Sequence, residues 1–86
     1  MFRYRLYTED LNEARLCELF SAAFDSYTVF HAEGRYKTKC EWSLIFEVIT
    51  QKPAWIHVSH LAEIIKKINK QESVLLTHEK INGGLI

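Results

Sequence analysis

The sequence has few residues that interrupt regular secondary structure and few that can form covalent cross-links. Its 86 residues include one proline, three glycines and two cysteines. The scarcity of proline and glycine argues against a disordered chain or a low-complexity linker. Cys17 and Cys40 are isolated and form no C-x-x-C pair, so they do not indicate a disulfide scaffold. A chain of this length has room for one domain with a modest core.

Net charge is also absent, since 11 acidic side chains balance 11 basic ones. Nucleic-acid-binding proteins usually gain affinity from a surplus of basic residues, so the charge balance argues against that function. A local basic patch on the surface remains an open alternative. No apolar run reaches the length of a membrane span, and Met1–Arg5 is not followed by the apolar run of a signal peptide. We therefore expect a cytoplasmic protein, of a bacterium or a phage-infected host, without a membrane partner.

Two kinds of apolar periodicity predict the fold. Alternating residues predict four strands, and apolar residues at helical spacing predict two amphipathic helices. The strands are expected at residues 2–8, 27–36, 40–50 and 73–81. The first helix is expected to follow an N-cap at Asp10, and the second to begin between Ala54 and Val58.

The element order β-α-β-β-α-β predicts a ferredoxin-like α+β fold. In this fold a four-stranded antiparallel sheet has the order 4-1-3-2, and both helices cover one face. We expect a single domain over residues 1–81 and a flexible tail over 82–86, where Asn82-Gly83-Gly84 begins the tail.

The helix-free face of the predicted sheet has a mixed character and contains most of the candidate site residues. It is too apolar to be ignored and too charged to form a second core. We expect a homodimer contact or another protein contact on this face or along an edge strand. Trp55 is added because tryptophan often anchors interfaces, although its indole could equally close the end of the core. The candidate partner-binding residues are Arg3, Arg5, Tyr7, Glu41, Glu47 and Trp55.

Reactive side chains are present, but without the spacing that a catalytic or metal site requires. His57, His60 and Glu63 share a helix flank, but no further ligand follows at finger-like spacing. Cys17 lies on an apolar helix stripe and is expected to be an inert thiol, whereas Cys40 could be a nucleophile only beside a base. No glycine-rich phosphate loop or nucleophile elbow occurs. We predict no catalytic residue, metal or cofactor.

Two alternatives to a protein-binding module remain open. The first is an enzyme or small-ligand binder of the dimeric α/β-barrel kind, with a pocket on the open sheet face. Its candidate groups are Arg5, Tyr7, His31, Glu47 and His78. The second is nucleic-acid binding, which the topology invites. The third-strand window of residues 39–46 argues against it, because Glu41 and Ser43 stand where base-stacking aromatic residues are needed.

Three segments resemble a family of short uncharacterised ferredoxin-like proteins from bacteriophages and bacterial genomes. The segments are Phe24–Val29 (FDSYTV), Gly34–Lys37 (GRYK) and Asn69–Val74 (NKQESV). They are turn and strand-entry motifs, so they specify a fold rather than a chemistry, and Thr38 stands where a hairpin glycine is expected. The resemblance implies a mobile-element context and brings no catalytic residues.

These observations favour a non-enzymatic module that binds a protein by direct contact. The context that the resemblance implies points to a phage-derived protein that inhibits a host protein, including one of the defence machinery. The positive argument is the half-apolar sheet face, and the negative argument is that no catalytic constellation is found.

Overall fold

The structure, a computed structural model, describes residues 1–86 and contains the six expected elements in the expected order. They are β1 (Phe2–Glu9), α1 (Glu13–Ala23), β2 (Thr28–Tyr36), β3 (Lys39–Thr50), α2 (Trp55–Asn69) and β4 (Leu75–Lys80). The α+β class is therefore confirmed. Neither helix is long and apolar enough to cross a bilayer.

The four strands form one antiparallel sheet in the order β2-β3-β1-β4. Read from the β4 edge this is β4-β1-β3-β2, so each strand has the neighbours that the sequence predicts. The central strand β1 places Leu6 directly opposite Phe46 of β3 and Leu76 of β4. β2 and β4 are the two edges of the sheet.

Both helices pack on the same face of the sheet and enclose the core. The rings of Phe20 in α1 and Phe46 in β3 stack with centroids 4.5 Å apart, which joins the helix layer to the sheet. The hydroxyl of Tyr4 accepts a hydrogen bond from the backbone N–H of Ala54 at 2.7 Å, at the start of α2. Ten side chains form the core: Tyr4, Leu6, Leu16, Phe20, Leu44, Phe46, Val48, Val58, Leu61 and Ile65.

A buried polar network closes one end of this core. Asn69, the last residue of α2, donates from Nδ2 to Thr8 Oγ1 and to Gln71 Oε1, both at 2.8 Å. Its Oδ1 accepts a hydrogen bond from Asn12 Nδ2 at 2.9 Å. Thr8 and Asn69 are both buried, so these bonds replace the water that the two side chains lose. The network connects β1, α1, α2 and the approach to β4.

The predicted N-cap at Asp10 is wrong. The residue before α1 is Asn12, in the left-handed conformation with φ 56°, and no side chain caps the first turn. Asparagine tolerates this conformation better than most residues. The amide of Asn12 serves the network with Asn69 instead of its own helix.

The hairpin between β2 and β3 extends beyond the central strand. Glu9, the last residue of β1, lies opposite Ser43, and the Asp10 N–H donates to Trp42 O at 3.2 Å. Beyond Trp42 the hairpin strands pair only with each other. Trp42 has the same strand parity as the core residues Leu44 and Phe46, but its side chain is 63% exposed because this segment projects past the packed layer. At the tip, Lys37 and Thr38 have φ 48° and 70° and form a tight turn without the usual Asn-Gly pair.

Replacing Asn69 with alanine should destabilise the protein by about 2 kcal/mol, because it removes the three hydrogen bonds that this buried amide makes with Thr8, Gln71 and Asn12. The free energy of unfolding in urea measures this loss. Lys67→Ala is the matched control, because Lys67 is an exposed residue of the same helix. Equal stability of the two variants would show that the network contributes nothing.

Candidate functional site

The open face, defined as the sheet face opposite the helices, brings together four of the six predicted site residues. Arg3, Arg5 and Tyr7 reach it from β1, and Glu47 reaches it from β3. They alternate with core residues such as Leu6, which point to the helices. The same alternation that builds the core therefore places these polar side chains on the open face.

Two cross-strand ion pairs organise this face. Arg5 Nε donates to Glu47 Oε2 at 2.8 Å, and the two residues lie directly opposite each other on β1 and β3. Arg3 pairs with Glu79, its direct neighbour on β4. The Glu47 side chain is only 13% exposed, so its charge depends on Arg5. The hydrogen bond that Arg5 donates to Glu47, together with the charge of that carboxylate, outweighs desolvation and raises the pKa of Arg5 above the ordinary value.

Apolar side chains lie beside the ion pairs. Ile45 is directly opposite both Tyr7 of β1 and Phe30 of β2, while Leu75 of β4 faces Tyr7 from the other side. Phe30, Ile49 and Leu75 are exposed, Ile49 by 48% and Leu75 by 59%. The open face therefore presents apolar surface on three strands with paired charges between.

Two shallow depressions lie on this face. One has a volume of about 280 Å³ and is lined by Arg3, Arg5, Tyr7, Thr77, His78 and Glu79. The other has a volume of about 310 Å³ and is lined by Arg5, Phe30, His31, Ala32 and Ile45. Small-molecule sites usually enclose most of the ligand surface, which neither open depression does. Both suit protruding side chains of a protein better than an enclosed small molecule.

The remaining two predicted site residues lie apart from these four. Glu41 shares the open face, but it lies opposite Gly34 in the projecting hairpin and lines a separate cleft with Glu9 and Trp42. Trp55 is the first residue of α2, on the helix side of the sheet, where its ring lies 4.7 Å from that of His78. Trp55 is 44% exposed but belongs to a different surface from the arginines.

The candidate groups of the enzyme alternative do not converge. His31 and His78 lie on β2 and β4, the opposite edges of the sheet. His31 Nε2 is 2.8 Å from Glu13 Oε1 of α1, and the centroid of the His78 ring lies 6.0 Å from that of Tyr4 and 4.7 Å from that of Trp55. The other three groups of that alternative lie on the open face, so no pocket contains the set.

Cys40 lies beside a carboxylate that disfavours its thiolate form. Its Sγ donates to Glu33 Oε1 at 3.0 Å, and this hydrogen bond, followed by desolvation, raises the pKa of Cys40. A raised pKa lowers the fraction of reactive thiolate. No three histidine, cysteine, aspartate or glutamate side chains are grouped so that they could hold a metal ion.

Sequence reasoning missed Phe30 and the pairing role of Glu79. In β2 the even-numbered residues 28–34 lie opposite the open-face residues of β3, so alternation within Thr28–Gly34 places Phe30 on the open face. The partner of Arg3 depends on the register between β1 and β4, which no local pattern reveals.

Charge reversal at Arg5 tests the dependence of Glu47 on its partner. Arg5→Glu should lower the melting temperature, because it places a second carboxylate beside a largely covered one. The double variant Arg5→Glu/Glu47→Arg restores opposite charges and should recover most of the loss, as differential scanning calorimetry can measure. Failure of the double variant to recover stability would contradict a direct pairing effect.

The His31–Glu13 pair makes a pH-dependent prediction. The hydrogen bond and charge of Glu13 raise the pKa of His31, so the pair stabilises the fold below the unfolded value and is lost as pH rises through the folded value. His31→Gln should therefore lower the melting temperature at about pH 5.5 and have little effect at about pH 8.5. Glu13→Gln should show the same pH dependence. A deficit that is independent of pH in both variants would contradict the ion pair.

Comparison with solved structures supports the fold. The de novo designed protein Foldit4 is similar with a TM-score of 0.54 and 14% identity, covering 94% of this chain and 96% of its own. The GlnK–ATP complex of B. subtilis is similar with a TM-score of 0.57 and 19% identity, covering 91% of this chain and 80% of its own. No protein-family model and no curated protein matches the chain. At these identities the likeness shows a ferredoxin-like fold alone.

Proposed function

We propose that this chain is a small non-enzymatic module that binds a protein partner through its open face. The observation that carries the proposal is the exposed apolar surface of Phe30, Ile49 and Leu75, which no helix covers. Exposed apolar residues grouped on one face are typical of interaction sites. Burial of this surface by a partner supplies the favourable free energy of association.

The charges of the open face are compatible with burial under a partner. Arg5 is paired with Glu47, and Arg3 with Glu79, so a partner would cover neutral pairs rather than isolated charges. Covering a paired charge costs less desolvation energy than covering an unpaired one. The pairs also hold long side chains in place beforehand, which reduces the entropy lost on binding. Because both arginines are paired, this face favours a protein partner over a polyanion.

The partner we propose is a host protein in the bacterial cytoplasm, and the proposed effect is inhibition of a defence protein by direct contact. The support is the resemblance of Phe24–Val29, Gly34–Lys37 and Asn69–Val74 to short proteins of bacteriophages and bacterial genomes. A small domain with a preformed binding face can block a larger protein without any chemistry of its own.

A single charge on the open face tests this function. Ile49→Glu should weaken binding to a captured host protein by at least about tenfold, because it places a carboxylate in the apolar contact. Affinity capture from bacterial lysate identifies the bound protein, and titration calorimetry measures its affinity. Plaque counts of a phage that the host restricts should rise with the wild-type chain and not with this variant.

The matched control is Ile56→Glu, since Ile56 is 86% exposed on α2, on the helix side of the sheet. This variant should retain full binding and full effect on plaque counts. Equal loss in both variants, or equal retention in both, would contradict binding through the open face.

A further inference from the structure

The edge strand β2 has an unprotected outer side. It is nine residues long, Thr28–Tyr36, and contains neither lysine nor proline, with which natural edge strands commonly block pairing. Its Glu33 and Arg35 are charged, but they pair with each other at 2.8 Å. The opposite edge, β4, has six residues and ends at Lys80. The β2 edge, roughly 30 Å long, is therefore the better template for an added strand.

We infer that β2 pairs antiparallel with β2 of a second copy of this chain, centred on Ala32. The pairing joins two four-stranded sheets into one sheet of eight strands related by a two-fold axis at Ala32. This interface goes beyond the proposed function, because it uses the edge of the sheet rather than its open face.

Backbone geometry limits the registers that such a pairing can have. In an antiparallel ladder, residues directly opposite each other either both point their N–H and C=O groups at the partner or both point them away. Since these groups alternate along β2, the two-fold axis must pass through a residue and not between two residues. Centring on Ala32 overlaps all of Thr28–Tyr36, with roughly eight to ten new backbone hydrogen bonds.

Overlap length and charge complementarity together select this register. Centring on Ala32 places His31 opposite the partner's Glu33 and, by symmetry, Glu33 opposite the partner's His31. Centring on Gly34 would place Glu33 opposite the partner's Arg35, but it would shorten the overlap to Ala32–Tyr36. Opposite charges directly across a strand pair are stabilising, and like charges are destabilising. Centring on Glu33 would set the two Glu33 carboxylates against each other. Centring on His31 would set the two imidazoles against each other and leave Glu33 opposite the partner's Val29.

The same register also explains why residue 34, on the open face of β2, is a glycine. Within one chain nothing requires a glycine there: its φ is not positive, and a Cβ atom would meet its nearest neighbour, Glu41 O, at an ordinary 3.7 Å. Glycine in a strand interior nevertheless weakens the strand. In the proposed pairing the exposed ring of Phe30 lies opposite the partner's Gly34 and can cover its backbone, as aromatic residues do for strand glycines.

Solution mass tests the inference. The wild-type chain should have twice its 10.1 kDa mass in analytical ultracentrifugation at micromolar concentration. Ala32→Lys should be monomeric, because it places two lysines opposite each other at the axis. Thr77→Lys is the matched control: Thr77 is an exposed open-face residue on the other edge strand, and this variant should stay dimeric. Ile49→Glu should also stay dimeric, which separates this test from that of the proposed function.

Cross-linking tests the register independently of the lysine variant. In a chain with Cys17→Ser and Cys40→Ser, Ala32→Cys should form a cross-linked dimer with a short bismaleimide. Thr28→Cys should not, because its two copies would lie at opposite ends of the paired strands. A wild-type monomer, a dimeric Ala32→Lys, a monomeric Thr77→Lys, or cross-linking of Thr28→Cys in place of Ala32→Cys would overturn the inference.

Discussion

The stacking of Phe20 on Phe46, with ring centroids 4.5 Å apart, decides which face of the sheet is covered. Side chains alternate across a strand, so burial of Tyr4 and Leu6 under the helices sends Arg3 and Arg5 to the other face. A slip of one residue in β1 would bury two arginines in the core. Removing a buried phenylalanine of this kind typically costs about 3–5 kcal/mol. The composition of the open face is therefore a consequence of the core.

The ion pairs of the open face add a second constraint, on register. A shift of β3 by two residues along β1 would keep the buried face apolar, so the core alone discriminates weakly against it. The same shift would move Arg5 from Glu47 to Ile45 or Ile49 and leave the covered carboxylate of Glu47 without its partner. Burying a charge without its partner raises the free energy of the folded state, so the Arg5–Glu47 pair favours the observed register. The charges thus contribute more to uniqueness of the fold than to its stability.

Local sequence patterns were sufficient to predict the helices and strands, but they were insufficient to predict where the packed part of each one ends. Period-two alternation in β1 and helical spacing in α1 are properties of short segments, and both predictions are confirmed. The Asp10 cap failed because Asn12 hydrogen-bonds to Asn69, which is distant in sequence. Trp42 has the alternation of a core residue but lies where β1 has already ended. Both departures from the local pattern have the same cause, a long-range contact that decides which residues the packed layer reaches.

The same distinction between local pattern and long-range pairing applies to the candidate site. The alternation of side chains along β1 was sufficient to place Arg3, Arg5 and Tyr7 on one face. Trp55, in contrast, precedes the apolar stripe of α2, so no periodicity assigns it to a face. The structure places its ring against His78, on the helix side. The partner of Arg3 likewise depends on the β1–β4 register.

Edge pairing and binding through the open face are mutually compatible, whereas a face-to-face dimer would bury the surface on which the proposed function rests. In an antiparallel continuation of one sheet, open-face residues lie opposite open-face residues, so Phe30 and the partner's Gly34 are on the same side. Both open faces then point in one direction. A host protein with two equivalent contact surfaces could engage both, and the second contact would form at a raised effective concentration. Joined edges would also remove the free strand most prone to non-specific pairing.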